Sequence, residues 1–220
     1  DKKFSSQDMG YFTNADYLDH YTWFGYKWVK PGKWYNNLYF NVNNTLSHRF
    51  SDGAFQSYYL NINLNGQLRN LWYAGFALNY NPEGNDFYEP RVAGRVFKKP
   101  AGIGPEIWFS TNSTKKYYFS FDGSVVKRNL FNGVSYFLYF ENRYRFNDKF
   151  SLSLVVNPSP YHNSAGFADV TSNGTIIFSR RDIRTFDNSL SGKYNFTKKA
   201  GFTVSVRHYW SEVTCRQFFT

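Results

Sequence analysis

The chain has 220 residues, is 22% aromatic, carries more Asn (23) than Leu (13) or Ala (9), and has a net charge of +10. That composition excludes a helical bundle, which leans on Ala, Leu, Glu and Lys, and a disordered chain, which has few aromatics. No stretch approaches the ~20 apolar residues of a transmembrane helix, and the lone Cys215 allows neither an internal disulfide nor a multi-cysteine zinc site.

The opening DKKFSSQDMG has no signal-peptide pattern. From there period-2 alternation dominates, and it predicts strands over 19–29, 34–46 and 54–64. Leu38, Phe40 and Val42 fall on one face against Asn41 and Asn43; Leu60, Ile62 and Leu64 oppose Asn61, Asn63 and Asn65. Further strands are expected over 68–80, 88–97, 104–112, 116–126, 133–146 and 149–157. The last of these sets Phe150, Leu152, Leu154 and Val156 against Ser151 and Ser153. Residues 158–174 are the least strand-like and read as a long loop, or one crossing a rim. Strands over 175–181, 183–196 and 201–213 follow. Pro31-Gly32, Asn65-Gly66, Asn147-Asp148 and Lys198-Lys199-Ala200-Gly201 are among the turn signals between them.

This pattern predicts one all-β domain over 1–220, an antiparallel up-and-down arrangement of about 10–12 or more strands. The closing RQFFT reads as a strand cut off, so a segment of a longer chain is expected. Two architectures fit: a soluble sandwich or barrel with an aromatic core, and a transmembrane β-barrel. Strand length favours the second. Soluble strands average ~5–6 residues, whereas membrane-spanning ones need ~9–11, and 34–46, 68–80, 133–146 and 183–196 exceed the soluble norm. Tyr and Trp near predicted strand ends, such as Trp34, Tyr35, Tyr117 and Trp210, suit interfacial girdles.

The basic residues are spread along the chain without a basic helix or finger spacing, so nucleic acid is not an expected partner. Polar strand faces supply the candidate site: Glu141, Arg143 and Arg145 on one strand, Arg181 on the strand expected over 175–181, Asp187 on that expected over 183–196, and Arg207 on the last. They are expected to line a lumen, either as a ladder of paired charges or as Arg forks for anionic or sugar ligands. Glu89 and Arg91, flanking Pro90, are candidates for a fixed rim feature. The four histidines show no ligand spacing, so neither metal nor cofactor is expected. No G-x-S-x-G elbow is present, and no catalytic residue is assigned.

Several phrases in order along the chain carry a resemblance: Asp8-Met9-Gly10-Tyr11, His20-Tyr21-Thr22-Trp23-Phe24-Gly25-Tyr26, Tyr88-Glu89-Pro90-Arg91, Phe178-Ser179-Arg180-Arg181-Asp182-Ile183-Arg184-Thr185 and Arg207-His208-Tyr209-Trp210-Ser211. Together they resemble the C-terminal membrane-barrel domain of uncharacterised Bacteroidota outer-membrane proteins, which often begin with a family-nine-type carbohydrate-binding domain. The resemblance implies a β-barrel in a Gram-negative outer membrane, in contact with its lipid, and brings no catalytic residues. The expectation is a non-enzymatic barrel that binds or passes glycans or other small polar solutes. A scaffold subunit among other outer-membrane proteins and an outer-membrane hydrolase are the alternatives.

Overall fold

The computed structural model describes residues 16–220; the Asp8–Tyr11 phrase lies outside the described residues. The fold is all-β and antiparallel. Its strands are β1 (Tyr17–Trp28), β2 (Tyr35–Arg49), β3 (Phe55–Leu68), β4 (Tyr73–Asn81), β5 (Gly84–Asp86), β6 (Phe97–Lys99), β7 (Gly102–Ser110), β8 (Tyr117–Arg128), β9 (Val134–Arg145), β10 (Phe150–Pro158), β11 (Tyr161–Val170), β12 (Ile176–Asn195) and β13 (Gly201–Phe219). The main sheet follows chain order from β1 to β4, then β7 to β10 and β12, with β13 on the far side of β12. β10 and β11 lie end to end along one edge of β12. Among the described residues the only helical piece is a 3-10 turn at Leu130–Asn132.

Alternating sequence and cross-strand register together sort the side chains into two faces. One row across the sheet reads Tyr26, Phe40, Leu64, Phe76, Ile107, Gly123 and Leu138. A continuation on later strands pairs Leu154 with Leu190 and Leu190 with Val206. The opposite face carries Trp23, Asn43, Asn61 and Asn79 in register, beside Asn41, Asn63, Ala77 and Glu106. Polarity is inverted relative to a soluble fold. Among the described residues the buried hydrophobic ones are Ala77 and Phe178, while Phe24 (62% exposed), Ile107 (49%), Leu190 (50%) and Val206 (64%) lie open.

The sheet curls around its polar face, and the 82–101 connection shows how far. Asn85 Nδ2 donates to the Phe55 carbonyl (2.7 Å) and the Arg49 guanidinium covers the Phe87 ring, so one side of the connection touches β2 and β3. The other side reaches β11 and β12. There Glu89 Oε1 accepts the Phe167 N–H (2.7 Å) and Phe97 packs on Phe178, with ring centroids 4.8 Å apart. Strands far apart in the sheet order are thus bridged over the polar face. The edges β1 and β13 each pair on one side only among the described residues.

Three sequence expectations are corrected. Residues 88–97 do not form a strand. Pro90 is fully buried and Arg91 adopts a left-handed φ of 56°, so the chain bends there, inside the β5–β6 insertion. Residues 158–174 are not a loop but contain β11. Two register shifts, between Tyr161 and Ser164 and between Phe167 and Asp169, break its alternation and hide the strand in the sequence. The two strands expected at 175–181 and 183–196 are one twenty-residue strand, because Asp182 stays in the ladder opposite Thr214.

Candidate functional site

Where the insertion covers the polar face it leaves a cavity of about 460 Å³, lined by residues of β3, β7, β8, β11 and β12 and by Asp86, Glu89 and Lys99 of the insertion. Its wall brings together two of the residues singled out in the sequence, Glu89 and Arg181. Gly166 is the reason they fit. A Cβ there would stand 2.9 Å from Glu89 Oε1 and inside contact distance of the Arg181 guanidinium, so only glycine lets both approach the β11 backbone.

The carboxylates of this wall are already engaged. Asp86 pairs with Lys99 (3.1 Å) and accepts the N–H groups of Tyr88 and Glu89 (2.9 Å each). Burial opposes ionisation of Asp86, but these N–H groups and Lys99 outweigh it and hold the carboxyl below its usual range. The guanidiniums are less committed. Arg128 donates from Nη1 to Ser135 Oγ (2.8 Å) and lies 4.7 Å over the Tyr161 ring. Arg181 reaches the Phe167 carbonyl from Nη1 at 3.5 Å, and its buried Nε has no hydrogen-bond partner among the described residues. Neither arginine has a carboxylate within ion-pair distance among the described residues. The wall can therefore hold a polar molecule of sugar size and offers two guanidiniums to its oxygens.

The remaining candidates are dispersed. Arg91 stacks on Phe167, with its guanidinium 4.6 Å from the ring centre. Asp187 and Arg207 form a two-pronged pair, Nε to Oδ1 at 2.8 Å and Nη2 to Oδ2 at 2.6 Å. Glu141 accepts from the hydroxyls of Tyr139 and Ser153, each at 3.4 Å. Arg143 lies over Tyr118. With Arg145, Lys149 and Lys193 it lines a second cavity of about 360 Å³ at the opposite end of the strands. A continuous ladder of arginines and carboxylates is therefore not formed; among these candidates Asp187–Arg207 is the one closed rung.

Arg128, Tyr161 and Gly166 were not singled out in the sequence. Arg128 ends a strand with no charged neighbour on its face to flag it, and Tyr161 and Gly166 lie in the bulged strand whose alternation is broken.

A family model described as Domain of unknown function (DUF5916) matches residues 1–220. No curated protein and no solved structure matches the chain.

Proposed function

We infer that this chain, which belongs to the DUF5916 family, is an outer-membrane β-barrel protein of a Gram-negative bacterium whose polar face binds or passes glycans or other small polar solutes. The inverted polarity of the sheet carries this reading. A sheet in water hides its apolar face; here Phe24, Ile107, Leu190 and Val206 are exposed in a band that crosses the strands. Continuous exposed apolar surface of this kind marks a membrane or partner interface, and alternation of apolar-out with polar-in is the pattern of membrane strands. Strands of 12 to 15 residues such as β1, β2 and β8 reach across a bilayer core. The solute side is supported by the cavity beneath the insertion, with its two guanidiniums, tyrosine and hydroxyls.

The test is a gel of the outer-membrane fraction with boiled and unboiled samples in SDS. A mobility shift on boiling is expected; protein in the soluble fraction with no shift overturns the reading. In planar bilayers, Arg181→Gln should change ion selectivity without blocking insertion. Single-channel behaviour identical to the parent argues against an open path past Arg181.

A second reading, a subunit of a larger outer-membrane assembly, draws on the edges β1 and β13, each paired on one side only among the described residues. It predicts that other barrels or lipoproteins copurify after mild detergent extraction, and their absence removes it.

A further inference from the structure

We propose that the rim formed by the short turns binds the anionic headgroups of the phospholipid bilayer and fixes the depth at which the protein rests. This builds on the membrane reading above.

In an up-and-down sheet alternate connections share an end. One end receives residues 29–34, 69–72, 111–116, 146–149 and 196–200; the other receives 50–54, the insertion 82–101, 129–133 and 171–175. The charges are not divided evenly. The first end carries Lys30 and Lys33, Lys115 and Lys116, Lys149, and Lys198 and Lys199, and Asp148 is the single acid of its five turns. All seven lysines are exposed, and none is in an ion pair among the described residues. Arg69, in the remaining turn, ties two turns together by donating to the Gly32 carbonyl (3.0 Å). The other end is balanced. Asp52, Glu83, Asp86 and Glu89 face Arg91, Arg95, Lys98 and Lys99, and Asp52 and Asp86 are paired with Arg49 and Lys99.

A second, independent feature marks the basic end. On the apolar face beside these turns, five rings follow one another across three strands: Tyr144, Phe146, Phe150, Tyr194 and Phe196, with successive centroids 4.8, 5.0, 6.4 and 5.2 Å apart. Trp34 and Trp72 stand exposed in two other turns of the same end. Aromatic belts settle at the boundary between hydrocarbon and headgroups. Lysines in the turns just beyond such a belt stand in the headgroup layer, within the ~8–10 Å over which their charge acts at ordinary salt. Unpaired ammonium groups at that depth complement phosphate-bearing anionic headgroups.

The test uses the protein reconstituted into vesicles of phosphatidylcholine with a minority of phosphatidylglycerol, then excised with its surrounding lipid in polymer discs for lipid counting. Phosphatidylglycerol should be enriched about fivefold over the bulk, a factor that roughly one favourable lysine–headgroup contact supplies, and the enrichment should shrink as salt is raised. The variant Lys115→Gln, Lys116→Gln, Lys198→Gln, Lys199→Gln should lose most of it. A two-charge variant at the other rim, Arg95→Gln with Lys98→Gln, should keep it, and Lys115→Gln with Lys116→Gln alone should already lose part of it. No enrichment in the parent, or equal enrichment in the two double variants, overturns the proposal. Boiled and unboiled samples from the same vesicles separate the two readings. Inserted protein without enrichment removes only the headgroup site; protein that never becomes heat-modifiable removes the membrane reading and this one with it.

Discussion

The polar face is built in two different ways on the two sides of the molecule. From β1 to β7 it is a closed amide network. Asn41 Nδ2 donates to Asn63, Asn43 and Asn63 both donate to Asn61, Asn61 donates to Asn79, and Asn79 ends the run on Glu106 Oε2, all at 2.7–2.9 Å. From β8 to β13 the face carries arginines, serines and tyrosines around cavities, with one two-pronged ion pair and an unpartnered Arg181 Nε. An amide is donor and acceptor at once, so neighbouring Asn residues satisfy one another without outside help. A guanidinium only donates, so where carboxylates are already engaged it has donors to spare. The first side therefore holds the sheet together, and the second keeps unsatisfied donors for the solute proposed above.

The sharpest break of this contrast is a methyl group placed on each side. A Cβ at Gly104, in register with Asn79, would collide with the Val125 carbonyl oxygen, which is backbone and cannot turn away. Gly104→Ala should cost about 3 kcal/mol, at the upper end for overpacking, read as a lower urea midpoint. At Gly166 the nearest atoms are the movable tips of Arg181 and Glu89. Gly166→Ala should leave the midpoint nearly unchanged and disturb solute selectivity instead. Equal losses of stability at both positions would erase the distinction.

Next in size is Asn61→Ala. It strands the donors of Asn43 and Asn63 and removes the donor to Asn79, for a loss of roughly 2 kcal/mol. The counterpart on the other side, Ser153→Ala, deletes one long bond to Glu141 (3.4 Å) and should fall within about 0.5 kcal/mol of the parent in the same titration. Asp187→Asn should also cost little, because its pair with the largely exposed Arg207 is screened by solvent.

The same contrast explains what could be read in the sequence. Runs such as Asn61-Ile62-Asn63-Leu64-Asn65 state strand, face and partner chemistry together, because unbroken period-2 alternation survives wherever the ladder is regular. The Arg181 neighbourhood could not be read that way. It depends on the β11 register shifts, on a chain reversal at Pro90–Arg91, and on a contact between Glu89 and Phe167 across 78 positions of sequence. The expected charge ladder misled for a related reason. Sharing a face places Glu141, Arg143 and Arg145 on one side of β9 but not opposite complementary charges: Arg143 lies beside Tyr118 and Ser153 in register, and Glu141 beside Ser120 and Val155.

The last expected effect is local, concerns how the insertion is held over the second side, and depends on pH. Two carboxylates at that rim are depressed by different means. Asp52, exposed in its turn, is lowered to about 2, chiefly by its hydrogen bond from Arg49 and then by the Ala54 N–H. Asp86 is half-buried. Burial raises its carboxyl, and the N–H groups of Glu89 and Tyr88 with Lys99 bring it below the ordinary value. A carboxyl lower in the folded state than the unfolded value of about 3.9 gives its full stabilisation above that value and loses it as pH falls through the folded one. The anchor at Asp86 should therefore be intact through neutral and mildly acidic conditions and loosen only in strong acid, by about 1 kcal/mol or less given the exposure of Lys99. Hydrogen exchange at the Tyr88 and Glu89 amides, corrected for the intrinsic pH dependence, is the measurement. Protection should drop in strong acid for the parent, and Asp86→Asn should show that reduced protection already at neutral pH with little further change. An anchor that weakens with rising pH, or a variant as protected as the parent, would mean that the Asp86 charge does not hold the insertion in place.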